Sequence, residues 1–430
     1  MDQINTEFYT LRRHWLSKGA VQLMLGAGFG VGLPALIATL FSSEASTPIL
    51  VNSAVASLAA STIGFVAFRK FNRFPGLSSL ENLIPAITVS YLTVIAVLFF
   101  ARVEYARHVM LVSFLASTLV YAAVYVAARR KSRYVFAVVP LGATAVVRSM
   151  VENGYRFHFL SGPHDSDTGW DGLIADFRET LPPEWERLLV SNVLRGVPVY
   201  HLKDFVERLT GRVDIEHLSE NTLASFNQHG YLQLRSLCER LIAALALLIL
   251  WPFMLLVALS IRLNSVGPAI FAQWRVGYRG KRFRVFKFRT MVNSPRPAAE
   301  ETTPRSRAIT KANDERITSL GRILRKARID ELPQLWNILK GDMSFIGPRP
   351  EAVPLSDWYE TELPFYTYRH MVRPGLTGWA QVSQGHVTEL GAIHDKLRYD
   401  FYYIKHLSLW LDLLILLRTI RIVLTGYGAR

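Results

Sequence analysis

Two adjacent carboxylates, Asp330 and Glu331, stand in the segment "ARIDELPQLWNILKGDMSFIGPRP". They follow "SLGRILRKAR", which carries four Arg or Lys and no acid. An acidic pair set among cations, just ahead of Pro333, has two readings. One is a helix N-cap, because Asp is a favoured capping residue and Pro is tolerated in a first turn. The other is a reactive carboxylate. Leu320, Ile323, Leu324 and Ala327 make one helical stripe, and Leu332, Leu335, Trp336 and Leu339 make another. The phase changes between Ile329 and Leu332, so a helix boundary is predicted at the pair. Free N–H groups and the helix dipole favour an anion there. Asp330 is therefore expected to be ionised at neutral pH, ready to attack an electrophile or hold a divalent cation. Glu331 points about a quarter turn away, so the two need not share one task. Local sequence leaves both readings open.

Around this pair, residues 262–380 are rich in groups that bind phosphate: "QWRVGYRGKRFRVFKFRTM", "GPRP" and "MVRPGLTGWAQV". Alternation in "FRVFKFRTM" predicts a short strand with one basic face, Arg284, Lys287 and Arg289, among Phe283, Val285 and Phe286 or Phe288. Arg gives bidentate contacts to phosphate oxygens, although such a face also suits anionic lipid. Carboxylate oxygens with phosphates nearby suit Mg²⁺ better than zinc. The chain's 430 residues carry a net charge of +15, which favours a polyanionic partner. Nucleic acid is set aside, because a membrane-tied chain with no RNA- or DNA-binding motif does not fit it. With Cys238 as the single cysteine, an intramolecular disulfide and a thiolate zinc site are both excluded.

The elements that must position these groups begin in a membrane. Hydrophobic residues make up 50% of the chain and its mean hydropathy is +0.19. Apolar stretches at 20–41, 49–68, 83–100 and 108–128 are each long enough to span a bilayer. Asp2 and Glu7 precede the first, without a convincing cleavage site for a signal peptide. "LRRHWLSK", "RKFNR" and "ARRKSR" flank them on one side, which places both ends of the four-span unit in the cytoplasm. "GAGFGVG" at 26–32 lacks nucleotide-loop spacing and a preceding strand; its glycines read as helix-packing positions. From 134 to 230, "YVFAVV", "YRFHFL" and "VPVY" read as strands alternating with helices, a small α/β unit with a parallel sheet. A fifth apolar run, Leu241–Ser260, is interrupted by Trp251-Pro252 and is basic on both flanks. From Arg262 to Arg296 there are nine Lys or Arg and no acid, so the helix is expected to enter, bend at Pro252 and return to the same face, with an ordinary fifth span kinked at the proline as the alternative. "LSLWLDLLILLRTIRIVLTGYGAR", with Asp412, Arg418 and Arg421, reads as a helix lying in the interface.

"FAQWRVGYRGKRFRVFKFRTM", "RIDELPQLWNILKGDMSFIGPRPE", "RPGLTGWAQV" and "YDFYYIKHLSLWLDLLILLRTI" closely resemble the bacterial sugar transferases of the monotopic phosphoglycosyl transferase superfamily. The match covers about 236–430, and the part before it resembles the long-form polyprenyl-phosphate sugar-1-phosphate transferases of exopolysaccharide, capsule or O-antigen (lipopolysaccharide) assembly. The resemblance implies transfer of a sugar 1-phosphate from a UDP-sugar to undecaprenyl phosphate, giving undecaprenyl-diphosphate-sugar and UMP, with glucose or galactose as the family-level sugar. It implies Asp330 as the nucleophile that forms a covalent phosphosugar-aspartate. Glu331 matches the second member of the dyad and is expected to help bind Mg²⁺. Arg349 matches the Pro-Arg-Pro motif that contacts the diphosphate. Lys287, Arg289 and Arg373 lie in matching substrate-binding motifs, and Pro252 matches the break in the re-entrant helix.

The expected architecture is a multi-domain protein of the bacterial inner membrane. A four-helix transmembrane domain (1–131) precedes a small cytosolic Rossmann-like α/β domain (132–232). A mainly helical α+β catalytic domain (233–430) follows on the cytoplasmic face, anchored by a re-entrant helix at 238–262. Expected partners are the UDP-sugar, undecaprenyl phosphate and membrane lipid, with a homodimer as an open option. Two other functions compete. An aspartate-based phosphohydrolase would release sugar phosphate to water without needing polyprenyl phosphate; a membrane scaffold binding anionic lipid would release no UMP.

Overall fold

The computed structural model describes residues 15–41, 47–71, 80–131, 134–153, 155–165, 169–214, 229–292, 316–384 and 390–425. The basic flanks at 11–14, 72–73 and 132–133, on which the orientation rests, lie outside the described residues. The chain divides into two compact units, Met1–Gly211 and Arg212–Arg430.

The first unit opens with four helices long and apolar enough to cross a membrane: α1 (Gly19–Leu40), α2 (Thr47–Phe71), α3 (Leu83–Phe100) and α4 (Arg107–Lys131). Small residues let them approach closely, as membrane helices require. Ser53, Ala56, Ser57, Ala60, Ser61 and Gly64 are buried along α2. "GAGFGVG" forms a π-helical segment within α1. A side chain at Gly30 would stand 2.8 Å from the Ser117 backbone of α4, and one at Gly26 would collide with the Tyr121 ring. Gly28 faces open space, so only part of the glycine cluster serves packing.

After these helices comes an α/β unit of β1 (Tyr134–Val138), β2 (Tyr155–Phe159), β3 (Gly172–Ala175) and β4 (Val199–His201), with α5 (Pro183–Leu194) and α6 (Leu202–Thr210). All strand pairs are parallel, in the order β2-β1-β3-β4. Its two cores sit on opposite faces of the sheet: Ala137, Leu173 and Ala175 in one, Phe136, Val138 and Ile174 in the other. A strand buried on both faces has no polar alternation, which is why "GLIA" carries no strand signal in the sequence. "ATAVVRSMVEN" between β1 and β2 winds as a 3₁₀ helix within Gly142–Asn153.

The second unit is built on one long helix, α7 (His229–Asn264), with Pro252 inside it. It continues with the hairpin β5 (Ile270–Val276) and β6 (Arg282–Phe288), then α8 (Ser319–Lys326), α9 (Gln334–Lys340) and β7 (Ser344–Ile346). There follow α10 (Val353–Glu362), β8 (Gly375–Thr377) beside β7, α11 (Trp379–Ser383), α12 (Leu390–Lys405) and α13 (Leu409–Thr425). One face of α7 supplies Ala243, Ala246, Leu247 and Leu250 to a core with Phe283, Val285, Leu335 and Ile338. Met254, Val257, Ala258 and Ile261 of the same helix enter a second core with Phe288 and Leu324. Leu332, the residue after the acidic pair, touches both.

Two expectations change here. The strand β6 has no single basic face: side chains alternate, so Lys287 shares the side of Phe283 and Val285, while Arg284 lies opposite, over the Trp274 ring. The stripe on α9 is shifted, with Leu335 and Ile338 buried and Trp336 exposed. Asp412 of α13 is buried, paired with Arg235 of α7 at 3.0 Å and accepting hydrogen bonds from Tyr231 and Tyr403.

The close approach of α1 and α4 gives a direct test. Gly30→Val should destabilise the unit by about 1–3 kcal/mol through overpacking, whereas Gly28→Ala should be silent. Heat unfolding in detergent compares them.

Candidate active site

Asp330 and Glu331 sit on one 3₁₀ turn, Ile329–Glu331, between α8 and α9. The turn is entered through Arg328, whose φ of 55° is left-handed. The residue ahead of α9 is Pro333, and no side chain caps that helix. Asp330 is therefore not its N-cap.

Both carboxylates are buried. Glu331 is caged by cations from three elements. Lys287 Nζ, from β6, donates to Glu331 Oε1 at 2.9 Å. Arg349 Nη2, from the loop after β7, donates to the same oxygen at 3.0 Å. Arg328 Nη1 faces Oε2 at 3.7 Å, beyond hydrogen-bond length. Burial alone pushes the Glu331 carboxyl up, but Arg349, Lys287 and Arg328 together reverse this and hold it well below the usual carboxylate range. Glu331 is an anion at any working pH.

Asp330 is tuned the other way. Burial raises its pKa and the Glu331 charge raises it further, while Lys287, Arg325 and Arg328 draw it down only in part. The end of α9 does not draw this pKa down, because the turn places Asp330 four residues ahead of Gln334, the first residue of that helix. Its Oδ1 is buried and has no hydrogen-bond partner among the described residues. A carboxylate oxygen without a partner, in a cationic and partly dehydrated place, can attack an electrophile or take a ligand.

The cage is held from behind. Asn337 of α9 accepts a hydrogen bond from Phe286 N at 3.1 Å and donates to Arg284 O at 2.6 Å, pinning β6 beside the turn. The loop carrying Arg349 is fixed by its carbonyls. Pro348 O accepts from Gly375 N, Arg349 O from Arg369, Pro350 O from Arg275, and Glu351 O from Val276 N. Arg369 is paired with Asp400 at 2.8 Å, and Glu351 with Lys396.

Of the residues expected in the site, Asp330, Glu331, Lys287 and Arg349 converge. Arg289 lies at the end of α7, donating to Ser265 O and Val266 O. Arg373 donates to Gly341 O at 3.0 Å and stands over the Tyr278 ring. Pro252 lies in α7, between the two cores that flank the turn. Sequence reasoning missed Arg275, Arg328, Asn337, Arg369 and Asp400. The "PRPE" run after Gly347 carries a signal of a fixed loop in its two prolines, but nothing in it names the distant arginines that fix it.

Among the described residues no three His, Cys, Asp or Glu gather into a metal site. Among those residues the site offers two carboxylates, and Glu331 Oε1 is already taken. The orphaned Asp330 Oδ1 and the less engaged Glu331 Oε2 remain. That set fits Mg²⁺, which is commonly held by one or two carboxylates and completed by substrate phosphates.

The chain matches the profile of the bacterial sugar transferases over residues 231–426. It is 40% identical to a UDP-N-acetylgalactosamine-undecaprenyl-phosphate N-acetylgalactosaminephosphotransferase of Aeromonas hydrophila, over 94% of this chain and 95% of the relative. It is 42% identical to a UDP-glucose:undecaprenyl-phosphate glucose-1-phosphate transferase of Xanthomonas campestris pv. campestris, over 43% of this chain and 37% of the relative. A protein of Caulobacter vibrioides with the same name is 45% identical, over 44% of this chain and 68% of the relative.

The opposed tuning of the two acids predicts their titration. In carboxyl-labelled protein, Asp330 should lose its proton above the ordinary Asp value of about 3.9. Glu331→Gln removes a neighbouring negative charge, so the Asp330 titration should move down. An unchanged Asp330 titration in that variant would show that the two do not interact.

Proposed function

Because the chain belongs to the bacterial sugar transferase family, we propose that it transfers a sugar 1-phosphate from a UDP-sugar to undecaprenyl phosphate, through a covalent phosphosugar-aspartate on Asp330. The observation that carries the assignment of Asp330 is its buried, unpartnered Oδ1 beside an anion whose charge is already balanced. In the first step an Asp330 oxygen attacks the sugar-bearing phosphorus; the P–O bond to the uridine-bearing phosphate breaks, and UMP leaves with the electron pair. In the second, an oxygen of undecaprenyl phosphate attacks the same phosphorus, and the Asp330 carboxylate is released. Splitting one phosphoryl transfer in two lowers each barrier. Lys287 and Arg349 stand where charge gathers on the phosphoryl oxygens. Asp330 and Glu331 would hold Mg²⁺, which when bound neutralises phosphate charge. The whole-length relative makes UDP-N-acetylgalactosamine the first sugar to test, ahead of glucose or galactose. This reaction would open exopolysaccharide, capsule or O-antigen assembly.

One substrate is soluble and the other is a lipid, so the site belongs at a membrane face. α1 to α4 form a four-span transmembrane domain with both ends in the cytoplasm, in the bacterial inner membrane. The α7 helix enters and leaves on that same side. Support comes from the two cores: residues before Pro252 and residues after it pack on one catalytic domain and meet at Leu332. A straight crossing would hold this whole run inside the bilayer, together with the basic hairpin and α8 packed against it. The opposite face of α7, with Leu241, Leu245, Leu248, Leu255, Leu256 and Leu259, is exposed and apolar, as a lipid-facing surface must be.

Two measurements test this. Purified protein with undecaprenyl phosphate, Mg²⁺ and a panel of UDP-sugars should release UMP, and Asp330→Asn should lower that release by several orders of magnitude with folding intact, as loss of a covalent nucleophile does. Near-native activity of the variant would remove Asp330 from the chemistry. Sustained turnover without the lipid would favour a phosphohydrolase. For the topology, with Cys238 replaced, Leu232→Cys and Val266→Cys should both label from the cytoplasm. Periplasmic labelling of Val266→Cys alone would make α7 a true crossing.

A further inference from the structure

Arg328 occupies a place where a glycine would be easier. Helix α8 ends at Lys326, Ala327 follows with helical geometry, and Arg328 then turns left-handed at φ 55°, ψ 19°. That is the position at which helices commonly end on glycine, because a Cβ is disfavoured there. The backbone at this point does necessary work: Arg328 N–H donates to Arg325 O, and Arg328 O accepts from Glu331 N–H. A glycine would do all of it without the conformational penalty. The side chain must supply something else.

What it supplies is visible in how the cations near the dyad are used. Lys287 and Arg349 are hydrogen-bonded to Glu331 and 20% exposed. Arg325 donates through Nε to Thr290 Oγ1 at 2.9 Å. Arg275 and Arg369 hold backbone carbonyls. Arg328 differs: its guanidinium is 40% exposed and reaches Glu331 Oε2 only at 3.7 Å. It is close enough to feel the dyad and loosely enough held to let go. Backbone strain of this kind persists at sites where it serves mechanism.

We propose that Arg328 is a substrate-contacting residue, which exchanges Glu331 Oε2 for a non-bridging oxygen of the phosphoryl group as Asp330 attacks it. This rests on the transferase reading above and assigns it a further group. A guanidinium suits the task, since its planar fork can bridge a carboxylate and a phosphate. The lipid's phosphate offers the same oxygen chemistry, and the two sources separate by half-reaction: the first step needs only the UDP-sugar.

The full-length protein tests it through UMP release with UDP-sugar and Mg²⁺ and no undecaprenyl phosphate, alongside heat unfolding. Arg328→Gly should unfold at the same temperature or higher, because the turn is relieved. Its rate of UMP release should nonetheless fall about a hundredfold, the scale of losing one charged donor to a transition state. Arg328→Lys should recover part of the rate while keeping the unfavourable turn. UMP release within twofold of wild type in Arg328→Gly would overturn the proposal, including the case where only the lipid-dependent step slows. Loss of stability in Arg328→Gly, with activity falling in step, would equally make Arg328 a turn residue. If Asp330→Asn is inactive while Arg328→Gly is not, the transferase reading survives and Arg328 alone is withdrawn.

Discussion

Glu331 keeps a full negative charge where water has been largely removed, and much of the second unit is arranged to allow it. Breaking a buried pair by removing one partner costs about 3–5 kcal/mol, because the other charge is left uncompensated. Lys287 lies 44 residues before Glu331 and Arg349 lies 18 after it. The β5–β6 hairpin, the acidic turn and the Pro-Arg-Pro loop therefore stabilise one another. Asn337 ties the hairpin to α9, and four successive carbonyls tie down the loop. The charges continue behind the loop in alternation, with Arg275 beside Glu351, Glu351 beside Lys396 and Arg369 beside Asp400.

The same cage divides the work between two acids of nearly identical chemistry. Environments that push neighbouring carboxyl groups apart give them different tasks. Glu331 is satisfied and stays ionised. Asp330 is raised by burial and by Glu331, and its Oδ1 is left without a partner. An electrophilic phosphorus, or a cation, is what that oxygen lacks.

Much of this was legible in the sequence, and what was not has physical causes. Length and hydropathy delimit α1 to α4 to within a few residues, because a bilayer sets their size. The parallel order of the small sheet follows from its alternating elements, yet β3 escaped because strands buried on both sides lose their period. Asp330, Glu331, Lys287 and Arg349 were marked by motif. Their convergence was not, since alternation alone put Lys287 on a common face with Arg284. Asp330 does not cap α9, because a 3₁₀ turn and Pro333 intervene before that helix. Asp412 looked like an interfacial charge within an apolar helix; its partner, Arg235, lies in a different helix far away in the sequence. Local patterns identify groups. Only the fold says which groups meet.

The claim that everything else serves is a bond between phosphorus and Asp330. Intact-mass and peptide-mass measurement after incubation with the UDP-sugar and Mg²⁺, without undecaprenyl phosphate, reads it directly. The expected result is about one equivalent of UMP and a phosphosugar mass on the peptide bearing Asp330, as a covalent intermediate requires, both discharged when the lipid is added. No adduct and no UMP until the lipid arrives, or an adduct on a residue other than Asp330, would contradict the account.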